Sequence, residues 1–522
     1  MSIRPLSNIS KKKKSRQIGN GNALELESNY GIATDDDVGD SVDSDIAKYT
    51  AGHEPIQIDA KLNKALFWKA NRRILVVMLG TYFCQSLDKG ALGFSSVMGI
   101  QKDAHLVGQQ YSWLGTILYM GVLAGEYPTN LLLQKLPLAK YLSVNVFCWG
   151  AVVCCSAAAN NFAGLMVVRF LLGVFESCVQ PAFIILTAMW YTREEQAVLM
   201  SLWYCQTGVQ LMIGGMIAFG VSHYTHGFIK SWQLLFLVLG LTTCVWAIFI
   251  GWYLPDSPMK AKCFTEEDKV LFIERVRKNE TGIQNRKLKL YQMLEALKDS
   301  LVWCYVLLQL SSTLVIGGLG VFSNLVISSF GFTYLQTQLL NVAQGGITIM
   351  VMVGSAALAT KLKDTSLIMF IWTWPAITGT VVMMKITPTV YTRVGLLFAF
   401  YCTQFFLAEG NLIFSLISRN VAGQSKKSVT LTMAFLAWSA GNIAAPQIFR
   451  QSDAPRYKHG FIAHLCLYVV FNLALCATRF IILSRNRQLE IVNLHDGGDV
   501  DLHRHAFDDL TDRENQDFRY SK

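Results

Sequence analysis

Charge is scarce in this chain: Asp, Glu, Lys and Arg make up 16% of its 522 residues against 52% hydrophobic residues, and the mean hydropathy is +0.34. A soluble protein of this length needs more polar surface than that, so a soluble globular fold is excluded. No C-x-x-C spacing occurs, and cysteines such as Cys84, Cys148, Cys154, Cys155, Cys205 and Cys402 sit inside apolar stretches. They read as small buried hydrophobes, with no metal or redox chemistry attached. Catalytic clustering is missing as well. His105, His223, His226, His459 and His464 scatter at the predicted outer ends of apolar stretches, without H-x-x-x-x-D or metal-ligand spacing. An integral-membrane enzyme, a bound metal and a cofactor are therefore not expected. No apolar core precedes Ile74, which argues against a cleaved signal peptide.

What is present is a series of twelve apolar stretches between about Arg73 and Ser484, divided six and six by a charged loop. About 20 apolar residues cross a bilayer as a helix, because lipid offers no partner to backbone N–H and C=O groups. The spans read as roughly 74–98, 111–133, 141–159, 162–186, 197–221, 233–254, 301–327, 336–360, 366–385, 391–416, 429–449 and 461–483. We number them 1 to 12. The expected fold is an all-α integral membrane protein of twelve transmembrane helices in two six-helix bundles. Its parts would be a tail over 1–70, a first bundle over 71–254, a basic linker over 255–300, a second bundle over 301–484 and a tail over 485–522. The lysine run Lys11–Lys14 and the acidic cluster Asp35–Asp45 make the first tail read as disordered and solvated, and the last tail reads the same way.

Cytoplasmic loops keep the excess of Lys and Arg. Here the excess falls before span 1 (Lys69, Arg72, Arg73), after span 2 (Lys135, Lys140), after span 4 (Arg193), in the central loop, and after spans 8 and 10 (Lys361, Lys363, Arg419, Lys426, Lys427). Both termini are thus expected in the cytoplasm. Arg450, Arg456 and Lys458 are a local exception on the outer side. The net charge of +10 is a topology signal and carries no nucleic-acid reading. The sequons at Asn8 and Asn279 fall on the cytoplasmic side, where glycosylation is not expected.

Ionisable side chains within a span cost several kcal/mol unless they face a partner or a water-filled cavity. Span 1 carries Asp88 and Lys89, span 4 carries Arg169 and Glu176, span 2 carries Glu126 near Tyr127 and Pro128, and span 10 carries Glu409. Asp88, Lys89 and Arg169 lie past the midplane toward the outside, and Glu176 follows one heptad deeper on nearly the same helix face. Two readings stand. The groups form a proton path beside a cavity, or Asp88, Lys89 and Arg169 form a static network tying spans 1 and 4. For Glu126, a gate near the cytoplasmic end and a packing role compete. Gln206, Gln210, Asn324, Gln344, Gln404, Asn411 and Asn442 are candidate cavity residues, each also explained by a helix-to-helix hydrogen bond. Short basic turns after span 2 (Leu133–Lys140) and span 8 (Ala359–Asp364) fit duplicated halves.

R-F-L-L-G-V-F-E at Arg169–Glu176, S-L-D-K at Ser86–Lys89, Q-K-L-P-L-A-K-Y at Gln134–Tyr141 and P-D-S-P at Pro255–Pro258 resemble the major facilitator superfamily, in its fungal anion:cation symporter branch. So do R-N-V-A-G-Q-S-K-K at Arg419–Lys427 and the run Gly441–Tyr457. The loop after span 2 departs from the superfamily by lacking G-x-x-x-D-R-x-G-R-R, and span 5 lacks the Gly-Pro pair of drug exporters. The resemblance implies import of a small organic anion with a proton, by alternating access. It assigns proton binding to Asp88 and Glu176 and the substrate carboxylate to Lys89 and Arg169; the in-span polar residues add Glu409 for proton coupling, Gln206, Asn324 and Gln344 for substrate binding, and Glu126 for gating, a role that the missing loop motif does not supply. The partners implied are the anion, the proton and the bilayer, for a monomer in the plasma membrane, with endoplasmic reticulum or vacuole as alternatives. A non-transporting nutrient sensor on the same fold is the rival reading.

Overall fold

The computed structural model describes residues 58–224, 227–277, 289–495, 510–515 and 518–521, all within one unit, Glu54–Lys522. The N-terminal lysine run and acidic cluster, Asn8, His226 and Asn279 lie outside the described residues. The regular structure described is helical throughout. Helix Ala60–Ala70 runs through a π-turn, Asn71–Leu75, into span 1, Val76–Val97; span 2 is Gln110–Lys135, span 3 Leu138–Ser156, span 5 Arg193–Ser222 and span 6 Ser231–Tyr253. In the second half, span 7 is Ser300–Ser329, span 8 Tyr334–Leu362, span 9 Thr365–Lys385, span 11 Gln424–Ile448 and span 12 Lys458–His495. Two linker helices, Glu266–Arg277 and Leu290–Lys298, lie between the halves. Ten of the twelve spans are both long and apolar enough to cross a membrane. Spans 1 and 2 are long enough, at 22 and 26 residues, but more polar, since span 1 carries Gln85, Ser86, Asp88 and Lys89.

Helix pairing repeats between the halves. Span 1 packs on spans 5 and 6, span 2 on span 4, and span 3 on spans 4 and 6; likewise span 7 packs on 11 and 12, span 8 on 10, and span 9 on 10 and 12. The faint duplication at the two basic turns is therefore a duplication of packing. The halves meet where span 5 crosses span 8, span 2 crosses span 11, and span 1 meets span 7.

Spans 2 and 4 touch backbone to backbone. A Cβ on Gly173 would lie 2.0 Å from the Leu118 carbonyl oxygen, and one on Gly121 2.2 Å from that of Phe170. The glycine of the R-x-x-x-G pattern thus permits the close approach that holds Arg169 at its depth. Gly173→Ala is expected to lower stability by about 1–3 kcal/mol through overpacking. A lower melting midpoint in detergent would show it, and an unchanged midpoint would mean that the two spans separate freely.

Three features differ from the sequence reading. Span 4 is two helices, Phe162–Glu176 and Val179–Trp190, because Pro181 has no N–H for the Ser177 carbonyl. Span 10 is likewise interrupted: Arg393–Thr403 and Glu409–Asn420 flank a 3₁₀ segment, Gln404–Ala408. Lastly, the C-terminal segment is not a free solvated tail. Thr511 and Asp512 are 0% and 1% exposed, because Asp512 supplies a carboxylate to the buried Lys426.

Candidate functional site

A cavity of about 280 Å³ lies between the halves. Its wall carries two cations, Lys89 and Arg169, the amides of Gln85, Gln210, Asn324, Gln344, Gln404 and Asn442, and the rings of Tyr82, Tyr119 and Trp438. Away from the basic loops the halves are sealed. The Tyr111 hydroxyl donates to the Val321 carbonyl at 3.1 Å, Ser112 Oγ donates to the Phe449 carbonyl at 3.3 Å, and Gln338 Nε2 donates to the Phe94 carbonyl at 3.0 Å. Phe322 stacks on Phe449 at 5.0 Å and meets Tyr111 edge-on at 5.4 Å, closing the seal with rings.

Arg169 is 2% exposed, sits 5.5 Å above the Phe236 ring, and has no hydrogen-bond partner at Nη2. A buried guanidinium nitrogen without an acceptor is poorly satisfied by protein alone, and its planar fork matches a carboxylate. Lys89 Nζ lies 3.3 Å from Glu176 Oε2, with the Glu176 side chain fully buried, and Gln85 Nε2 donates to the Glu176 carbonyl at 3.4 Å. This pair bridges spans 1 and 4, so the tie expected there runs through Glu176 and not through Asp88.

Asp88 does not line the cavity. Lys89, one residue on and about 100° around the helix, takes the cavity side. Asp88 turns toward spans 3 and 6, where Oδ2 accepts from Trp149 Nε1 at 2.5 Å and Thr243 Oγ1 at 3.0 Å. Gln206 also lies off the wall, and Thr207 and Gln210 take its place on the inward face of span 5. Asn324 and Gln344 do line it, the first accepting from Asn341 Nδ2 at 2.8 Å and the second donating to Gln404 Oε1 at 3.1 Å. Glu409, immediately after the 3₁₀ segment, is 0% exposed with neither carboxylate oxygen partnered, and is likewise off the wall. Glu126 is half-buried on span 2 outside the cavity; Asn130 Nδ2 donates to its main-chain carbonyl at 2.9 Å and reaches its carboxylate Oε1 at 3.5 Å.

Tyr82, Gln85, Tyr119, Thr207 and Trp438 were not singled out from the sequence. For span 1 a signal existed: Tyr82, Gln85, Ser86, Lys89 and Gly93 recur at three- and four-residue intervals and form one polar stripe on an otherwise apolar helix. Tyr119 and Trp438 carried no such signal, since a lone aromatic in a span reads as packing. They meet edge-on at 5.7 Å across the two halves.

Residues 78–446 match the model of the Major Facilitator Superfamily. An uncharacterised transporter of Schizosaccharomyces pombe is 34% identical over 477 residues, covering 91% of this chain and 90% of that protein. A thiamine pathway transporter of Saccharomyces cerevisiae is 33% identical over 496 residues, with 94% and 90% covered, and the allantoate permease of the same yeast 28% over 497 residues, with 93% and 91% covered. Among solved structures, an inward-facing bacterial homolog of the human lysosomal transporter Spinster aligns with a TM-score of 0.60 at 11% identity, over 78% of this chain and 96% of that one. A D-xylose-proton symporter aligns with a TM-score of 0.60 at 12% identity, over 77% and 96%. These two likenesses show the fold. The chain belongs to the major facilitator superfamily: it is a multi-pass membrane transporter of small molecules, and not an enzyme.

Proposed function

We propose that the protein imports a small organic anion together with protons, by alternating access at the cavity between its halves. The observation that carries this reading is Arg169, a guanidinium buried in the cavity wall with Nη2 unpartnered. The allantoate permease relative is named for an anion of this class. With the basic loops in the cytoplasm, the aromatic seal lies on the outside and the conformation faces inward. The membrane is the plasma membrane, and the working unit is a monomer.

The Lys89–Glu176 pair links proton to anion. While Glu176 is ionised it holds Lys89; once Glu176 is protonated, Lys89 is released and the wall carries two uncompensated cations. Proton binding and anion binding then favour each other by the same factor. An inside-negative potential opposes a monovalent anion by about 2.3 kcal/mol per 100 mV, and one co-transported proton cancels that charge. Asp88 and Glu409, buried and apart from the cavity, are the further carboxylates of the proton path.

Expression in cells lacking related permeases, with labelled organic acids offered at pH 5 and pH 7, tests this. Accumulation at pH 5 that collapses at pH 7 is the expected result. Signalling without accumulation of any acid would instead mark a sensor. Asp88→Asn retains an acceptor for Trp149 and Thr243 but cannot ionise, and it is expected to abolish pH-driven accumulation. Coupling unchanged in that variant would remove Asp88 from the proton path.

A further inference from the structure

At the basic face, each half closes with the same three parts. In the first half, the helix before its first span supplies Asn63, the start of span 5 supplies Glu195, and the chain after span 6 supplies Arg275. Arg275 is 3% exposed, pairs with Glu195, and donates from Nε to Asn63 Oδ1 at 2.6 Å and from Nη1 to the Trp190 carbonyl at 3.3 Å. In the second half, the helix Leu290–Lys298 before span 7 supplies Glu295, the start of span 11 supplies Lys426, and the chain after span 12 supplies Asp512. Lys426 is fully buried, with Nζ 2.9 Å from Glu295, 2.9 Å from Asp299 and 2.7 Å from Asp512.

The charges are exchanged between the two halves. A carboxylate at the start of span 5 receives a cation, and a cation at the start of span 11 receives a carboxylate. Asp512 would be repelled by Glu195, and Arg275 by Lys426, so neither segment fits the other's site.

We infer that the C-half of the basic face is a receptor site for the chain's own C-terminal segment, which clamps spans 10, 11 and 12 into one body as linker helix Glu266–Arg277 clamps the first half. The contacts reach all three spans. The Tyr520 hydroxyl donates to Asp512 Oδ2 at 2.7 Å, Asn486 Nδ2 on span 12 donates to the Tyr520 carbonyl at 2.9 Å, and the Tyr520 N–H donates back to Asn486 Oδ1 at 3.0 Å. On span 10, Asn420 makes the same two-way pairing with Ser521, at 2.6 and 2.9 Å. Gly423, in the turn between spans 10 and 11, has φ +80, and a Cβ there would lie 3.1 Å from Thr511 Cγ2, so the turn is shaped to the docked segment. In a rocking mechanism the half-molecules must move as units, and these contacts join the ends of three spans that a short turn alone would leave independent.

The test uses the full-length protein carrying Asp512→Lys, which places a third cation beside Lys426 and Arg485, whose Nη1 lies 3.7 Å from Asp512 Oδ2. Its melting midpoint in detergent is expected to fall by roughly 5 °C or more. A synthetic peptide of residues 509–522 should then occupy the vacated site and restore the midpoint, whereas the same peptide with Asp512→Lys should not. An unchanged midpoint in the variant, or equal action of the two peptides, would overturn the inference. If the Lys variant does not accumulate, Asp512→Asn, which removes the charge but keeps a side-chain acceptor for Tyr520, carries the same comparison with a smaller fall. None of these readouts depends on knowing the transported solute.

Discussion

Arg169→Ala is expected to reduce uptake by at least about 100-fold, the largest effect of any single change in the cavity. The size follows from two charge-assisted hydrogen bonds to a carboxylate at about 1.5–3 kcal/mol each, where about 1.4 kcal/mol is a factor of ten. Arg169→Lys keeps the charge but loses the planar fork. It should raise the apparent KM by about tenfold while sparing the maximal rate more than Ala does. Initial uptake rates measured at equal surface abundance separate this from misfolding, which matters because Arg169 also packs on Phe236. If both variants kept wild-type KM and rate, the anion would bind elsewhere and the carboxylate assignment would fall.

Lys426→Met is expected to keep the protein from reaching the cell surface. It leaves Glu295, Asp299 and Asp512 without the cation that all three contact, and Asp299 and Asp512 are each 1% exposed. Removing one partner of a buried ion pair costs about 3–5 kcal/mol, a large share of the stability of most domains. Confocal localisation and the yield of monodisperse protein report the loss. The same cluster sets an acid limit. Burial pushes the Asp299 carboxyl up, but hydrogen bonding from Arg485 and the charge of Lys426 outweigh it and hold the group below the usual carboxylate range. A group depressed in the folded state contributes stability that is complete above its unfolded pKa, about 4, and is lost as pH falls through its folded value. Wild-type protein should therefore lose stability on the acid side of pH 4. With Lys426 gone the depression shrinks, so whatever Lys426→Met protein is recovered should have less stability to lose over that acid range. A melting profile between pH 3 and pH 7 of the same shape in both would show that Lys426 does not stabilise the ionised Asp299.

Most of the cavity's chemistry was legible in the sequence as polar residues out of place in apolar spans. Lys89, Arg169, Asn324 and Gln344 all reach the wall. Gln206 failed because one residue of rotation separates it from Thr207, and no pattern within span 5 says which of the two faces inward. Asp88, assigned to proton coupling, lies off the wall, since its neighbour Lys89 takes the cavity side. The docked C-terminal segment was invisible for another cause. Its composition is that of a solvated tail, and only the buried Lys426, far away in sequence, gives Asp512 a reason to be inside.

By itself the sequence determined the membrane class, the two sets of six spans and which residue types lie at membrane depth, because these depend on hydropathy and length, which are local quantities. Tertiary structure alone decided which carboxylate pairs with Lys89, which side chains meet across the two halves, and how the C-terminal segment is held. Those outcomes depend on helix rotation and on contacts between distant parts of the chain, and a linear pattern does not record the angle at which one helix presents itself to another.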